Sequence, residues 1–279
     1  MASPLVAAAA SAAGVWATWR LLVGTARGQR IDQIAFEGSQ IGAWRIDSQG
    51  EALLETVSVP AVAIVVATVT VLALVRRRFV LAIAAPAAVA GANITTQVLK
   101  YAVLHRDDLI NLGRGALSGN SLPSGHATVA AATVVGLLLV LPRALRPWIA
   151  VAGAAMVAAF GFATLVNQWH RPSDVVAAIL VAAFWGFLAV AAERLAGRRE
   201  EPPHPDTQGV VSVLLLLVAI LAGGTAGMTG YLLWNETLAT ASRTDQLIGY
   251  AGGVAAVVAA ACGTCGVLLR LVDGGGARD

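Results

Sequence analysis

Charge is scarce in this chain. Asp, Glu, Lys and Arg make up 13% of its 279 residues, whereas 57% are hydrophobic, and the mean hydropathy is +0.74. A soluble domain of this length carries more charge and far less apolar sequence, so that class is excluded. Cysteine is scarcer still. Two residues in a chain this size cannot make a disulfide framework. Their spacing, Cys262-Gly263-Thr264-Cys265, is that of half a metal site, but no second ligand pair exists and the stretch is apolar, which argues against a metal. A concentrated basic tract is also missing. The net charge is only +3 and the Arg residues sit at the ends of apolar runs, which excludes a nucleic-acid partner. No internal repeat is evident.

What remains is a succession of apolar runs of spanning length, at about 4–24, 57–75, 79–103, 124–141, 148–168, 174–192, 210–233 and 247–272. The expected fold is all-α, a polytopic membrane helix bundle of about eight spans. A cleaved signal peptide is the rival reading of the first run, but it lacks a basic leading segment. Arg76-Arg77-Arg78, Arg143, Arg146, Arg194, Arg198 and Arg199 all fall on one side of such a bundle, which the positive-inside rule makes cytoplasmic. Both termini are then cytoplasmic. Residues 1–193 read as a core, 194–209 as a cytoplasmic linker holding His204, and 210–279 as an additional helix pair. Gly223, Gly224, Gly227 and Gly230 suit tight packing of that pair on a neighbour. Residues 25–55 are polar and mixed in charge, with Ile34, Ile41 and Trp44 available to rest on the membrane surface.

Chemistry concentrates in Asn120-Ser121-Leu122-Pro123-Ser124-Gly125-His126-Ala127-Thr128, between two apolar runs. Ser124 suits a helix cap, Pro123 a helix start, and Gly125 lets a ligand approach the backbone. The exposed amides of such a start, with the helix dipole behind them, form a site for an anion such as phosphate. His126 adds a group that exchanges protons near neutral pH. An ordinary helix start with an incidental His is the plain alternative. Upstream, Asn93, Thr96, Gln97 and Lys100 recur at helical spacing, and polar groups in a span mark function when they face the interior. Lys100 could instead simply snorkel to the surface. Downstream, Trp169-His170-Arg171-Pro172-Ser173-Asp174 emerges on the same, outer side. Three separate loops thus bring Lys100, Arg106, Ser124, Gly125, His126, His170 and Asp174 to one level of the bundle.

In these residues the chain resembles the type 2 phosphatidic acid phosphatase (PAP2) superfamily of integral membrane lipid phosphatases. Pro123-Ser124-Gly125-His126 matches that family's second motif in full, and His170 with Asp174 matches the end of the third. Lys100 and Arg106 match the first loosely. The resemblance covers about residues 57–193, with the first span and its loop included, and leaves out the last two helices, so it implies a six-helix core plus two further spans. The first motif is shortened and lacks its proline, because Asp107 follows Arg106. The Ser-Arg pair of the third falls on Ala163-Thr164, so a phosphate-clamping Arg is absent; Arg171 and Arg114 are the nearby substitutes.

The resemblance implies His170 as nucleophile, forming a phosphohistidine, with Asp174 on its other ring nitrogen and His126 as acid and then base. Lys100, Arg106 and the amides of Ser124 and Gly125 would hold the phosphate oxygens. No cofactor or metal is called for, since the set lacks the carboxylate cluster of a two-metal hydrolase. The expected substrate is a lipid phosphate or diphosphate, with polyprenyl carriers, phosphatidic acid and phosphatidylglycerol phosphate as candidates. It would be met at the outer face of a bacterial plasma membrane. The other reading is a lipid-phosphate binder or scaffold without turnover. A transporter fits less well, because the ionisable residues gather at one surface and not at the midplane. The oligomeric state is left open.

Overall fold

The computed structural model describes residues 2–41, 43, 47–111, 119–197, 207–235 and 241–273. Among them are ten α-helices and no strand. They are α1 (Ala2–Thr18), α2 (Ala26–Gly38), α3 (Asp47–Glu55), α4 (Val59–Val75), α5 (Phe79–Val98), α6 (Gly125–Val140), α7 (Arg146–Val166), α8 (Pro172–Leu195), α9 (Thr207–Asn235) and α10 (Arg243–Asp273). α1 and α5 each run on into a π-helical turn, Trp19–Val23 and Leu99–Val103.

Six helices are long and apolar enough to cross a membrane. The other two expected spans differ. α4 has 17 residues and continues from α3 through a 60° bend, so the two count as one broken span or as a re-entrant loop. α6 has only 16 residues, about 24 Å at 1.5 Å per residue. It starts only at Gly125, after the Ser124 cap, because the segment before it is polar and non-helical.

Small residues set the closeness of the packing. Ala85, Ala88 and Ala92 of α5 are buried, as are Ala127, Ala130 and Ala131 of α6 and Ala177, Ala178 and Ala182 of α8. A methyl on Gly153 of α7 would lie 2.4 Å from Val134, and one on Gly186 of α8 would lie 2.5 Å from Val135. α6 is therefore gripped from both sides, and neither glycine tolerates a side chain without displacement.

Helix direction sorts the polar residues between the two ends. Arg78 before α5 pairs with Glu193 at the end of α8, both buried. Arg194 reaches Ser3 and the carbonyl of Leu271, and Gln208 reaches the carbonyl of Arg143. This Arg-rich end lies a full helix length from Lys100, His126 and His170.

The segment 25–55 is structured where it is described. Thr25 caps α2 by accepting the Gly28 amide at 3.0 Å. A Cβ at Gly28 would come within 1.8 Å of the Leu21 carbonyl, so only glycine lets α2 fold back on the end of α1. At its other end, Ser39 and Gln40 donate to the last carbonyls of α7, Leu165 and Val166, each at 2.8 Å. The Val166 carbonyl is one of those a helix end leaves unpaired and Gln40 fills it, whereas Leu165 also accepts the Gln168 amide at 3.0 Å. Ile34 is buried against Gly249 of α10 and does not rest on a membrane surface. Trp44 lies outside the described residues, as does His204.

α10 packs on α9 on one side and on α2, α7 and α8 on the other. The close approaches come from its own glycines: a Cβ at Gly253 would be 2.6 Å from Pro172. The α9 glycines behave otherwise. Gly224, Gly227 and Gly230 face open space, and only Gly223 has a neighbour, Ala259 at 3.8 Å.

Candidate active site

The end of α7 aims His170. Asn167 closes the helix and Gln168 takes a left-handed conformation, φ 55°. The amides of Trp169 and His170 then both donate to the Thr164 carbonyl, at 2.9 and 3.2 Å. This tight reversal leads directly into α8, where Pro172 occupies the first turn. Asp174 follows one turn in. Its Oδ2 accepts the Arg171 amide at 2.9 Å and faces His170 Nδ1 at 3.2 Å. A carboxylate there holds the proton on Nδ1 and leaves the Nε2 lone pair free. His170 and Asp174 are both buried.

His126 enters from α6. Ser124 caps that helix, its Oγ accepting the Ala127 amide at 3.3 Å. Pro123 lies before the cap and not in the first turn. The half-buried His126 ring is 6.4 Å from the His170 ring and 5.0 Å from that of Trp169. The space beside Gly125 is open: a Cβ would meet only the Gln97 amide, at 3.9 Å. The Ser124 amide is already committed to the Asp174 carbonyl at 2.9 Å. Gly125 and His126 therefore carry the amides that the helix start leaves for a ligand.

Lys100 lies in the π-helical turn after α5, and its charge acts on His126. Asn120 fastens the loop there, donating to the carbonyls of Lys100, Leu104 and Leu122 at 2.9–3.1 Å. Of the polar stripe on α5, Thr96 meets the Thr128 hydroxyl of α6 at 2.8 Å, and Asn93 turns back to its own helix. Thr164 is fully buried, and its hydroxyl donates to the Gly161 carbonyl. Arg114 falls outside the described residues.

α2 contributes a set that the reading of the sequence missed. Asp32 accepts from the Ser173 amide at 3.1 Å and its hydroxyl at 2.6 Å, and lies 3.5 Å from Arg106 Nη2. Gln33 Oε1 accepts from Arg171 Nε and Nη2 at 3.2 and 2.9 Å. Phe36 lies against the same guanidinium, 5.4 Å from ring centre to Cζ. Gln29 takes the Asp107 carbonyl at 2.6 Å. Positions 29, 32, 33 and 36 share one helix face, a spacing visible in the sequence once the segment is read as a helix. Burial pushes the Asp32 carboxyl up from its usual range, against the downward pull of Arg106. Burial, and next the neighbouring Arg106, push Arg171 down.

A cavity of about 490 Å³ between α3, α7 and α10 is lined almost wholly by apolar groups, among them Leu53, Phe162 and Val257, and includes neither histidine.

Residues 81–198 match the family model of the PAP2 superfamily. Lys100, Arg106, the Pro123–His126 stretch, His170 and Asp174 all lie within the match, whereas α1, α2, α9 and α10 lie outside it. No curated protein and no solved structure matches the chain.

Proposed function

We propose that this chain, whose residues 81–198 match the PAP2 superfamily, is a phosphatase that hydrolyses a lipid phosphate or diphosphate by way of a phosphohistidine on His170. The observation that carries the reading is the pair of imidazoles 6.4 Å apart with Asp174 on the Nδ1 side of His170. A phosphorus atom between them would have a nucleophile on one side and a proton donor on the other.

In the first step His170 Nε2 attacks phosphorus and the bond to the leaving oxygen breaks. His126 gives that oxygen its proton. Asp174 stabilises the positive charge that develops on the His170 ring. In the second step His126 takes a proton from water, the water oxygen attacks phosphorus, and the N–P bond breaks to release inorganic phosphate. Lys100, Arg106 and the amides of Gly125 and His126 offset the charge on the non-bridging oxygens. The chemistry is assigned to side chains alone, so chelator should leave it intact.

The exposed helix faces around the site support a substrate with a bilayer-embedded tail. The Arg-rich end opposite the histidines supports an active site on the outer side of a plasma membrane. The candidate substrates are polyprenyl phosphates and diphosphates, phosphatidic acid and phosphatidylglycerol phosphate. The test is phosphate release by purified protein from a polyprenyl diphosphate, a polyprenyl phosphate, phosphatidic acid and phosphatidylglycerol phosphate, with chelator present. Release that disappears in His170→Ala supports the reading. Absence of release from every one of them by folded protein would move it to binding without turnover.

A further inference from the structure

We infer that Arg171, held in place by α2, supplies to the transferring phosphoryl group the guanidinium that position 164 lacks. The inference rests on the phosphatase reading above. Thr164 brings no charge, and its hydroxyl is satisfied within its own helix. Arg171 adjoins His170 and is 1% exposed. It is also fixed. Its amide is bound by Asp174, one edge of its fork by Gln33, and its face lies against Phe36.

Arg171 Nη1 is buried with no hydrogen-bond partner among the described residues, and the same holds for Arg106 Nη1. A buried guanidinium with an unmade hydrogen bond is costly, unless a ligand completes it. Gln33 orients Arg171 without cancelling its charge. Of the two carboxylates near both cations, Asp174 Oδ2 is engaged with His170, and Asp32 holds Ser173 and pairs with Arg106 through Nη2 at 3.5 Å, which leaves Nη1 of each guanidinium open. Two cations with unmet N–H groups, clustered beside a His–Asp pair, fit an oxyanion whose charge is spread over several oxygens. The residues that hold them, Asp32, Gln33 and Phe36, lie outside the family-matched segment. The lost clamp and its replacement are thus coupled through a helix that the family match does not include.

The experiment uses full-length protein in detergent, with the lipid phosphate that turns over best. Inorganic phosphate serves as a second probe, read by protection against heat unfolding. Arg171→Ala and Arg171→Lys should each lose about 10²- to 10³-fold in kcat, the usual effect of removing one oxyanion donor. Millimolar guanidinium should partly restore Arg171→Ala, and protection by phosphate should weaken in both. Gln33→Ala should lower kcat while leaving the melting temperature nearly unchanged. Gln33→Glu discriminates further. It keeps both acceptor contacts but neutralises the fork, so kcat should fall, whereas a purely structural Gln33 predicts a variant as active as the parent. Should Arg171→Ala fail to fold, the Lys and Gln33 variants decide. Rates within threefold of the parent in both Arg171→Lys and Gln33→Glu would overturn the inference. If His170→Ala is inactive in the same assay, the phosphatase reading survives that failure. If His170→Ala remains active, the reading itself falls.

Discussion

Ser124 donates its amide to the main-chain carbonyl of Asp174 at 2.9 Å. That bond joins the cap of the helix carrying His126 to the first turn of the helix that follows His170. The backbones that carry the two histidines are therefore tied at one joint, and the rings they carry lie 6.4 Å apart. The joint consumes the Ser124 amide, which leaves Gly125 and His126 with the open amides of the helix start.

Replacing either histidine tests roles that the joint does not share. His170→Ala should abolish turnover with folding intact. His126→Ala should reduce it by about 10²- to 10⁴-fold, the range for loss of a general acid. A poor leaving group should suffer more than a good one in His126→Ala, which comparing an alkyl with an aryl phosphate would reveal.

Asp174→Asn can keep one oxygen for both the Arg171 amide and His170 Nδ1, which share Oδ2, but it removes the negative charge that stabilises the cation developing on the His170 ring. The expected result is a large loss in kcat with little change in melting temperature. Parent-like kcat would remove Asp174 from the chemistry.

At the opposite end, Arg78 and Glu193 form a buried pair between α5 and α8. Removing one member takes an opposing charge away from a buried group, so Glu193→Ala should cost about 3 kcal/mol. The double change Arg78→Met with Glu193→Leu should recover much of that loss. Unfolding in detergent, read against denaturant, measures both.

Asp32 gives a pH signature. Its folded carboxyl is raised above the ordinary value of 3.8, chiefly by burial. The folded state therefore binds this proton more tightly than the unfolded one. Its contribution to stability is full below pH 3.8 and declines as pH rises through the folded value. Asp32→Asn removes the titration. The stability difference, variant minus parent, should increase with pH across that window and then level off, as urea titrations at several pH values would show.

Sidedness is open to labelling. Gly119 is exposed with nothing within 4 Å, and Ala196 is exposed at the far end. The native cysteines are buried. Gly119→Cys should react with an impermeant thiol reagent on intact cells, and Ala196→Cys only after lysis. The reverse pattern would place the histidines in the cytoplasm.

The helical class and most of the spans were legible in the sequence, because an apolar run of more than 20 residues has few other outcomes. The Pro123–His126 stretch and the His170–Asp174 spacing were legible too, since a cap and one helical turn fix them locally. α2 was not. Its apolar and polar residues are mixed, and only the long-range contacts of Ile34 with Gly249 and of Asp32 with Ser173 show which face is which. The α9 glycines misled because a small-residue stripe permits close packing without requiring it. The division at residue 193 also blurs in space, where Gly253 of α10 bears on Pro172, two residues from His170.

The central claim is that phosphate passes through His170. The direct measurement is to mix purified protein with substrate labelled in its phosphate, quench in base within the first turnover, and locate the label by mass spectrometry. The account predicts an acid-labile, base-stable phosphoryl group on the peptide containing His170, absent from His170→Ala and increased when His126→Ala is given a substrate with a good leaving group. Turnover at the parent rate by His170→Ala, or label carried on any other residue, would contradict it.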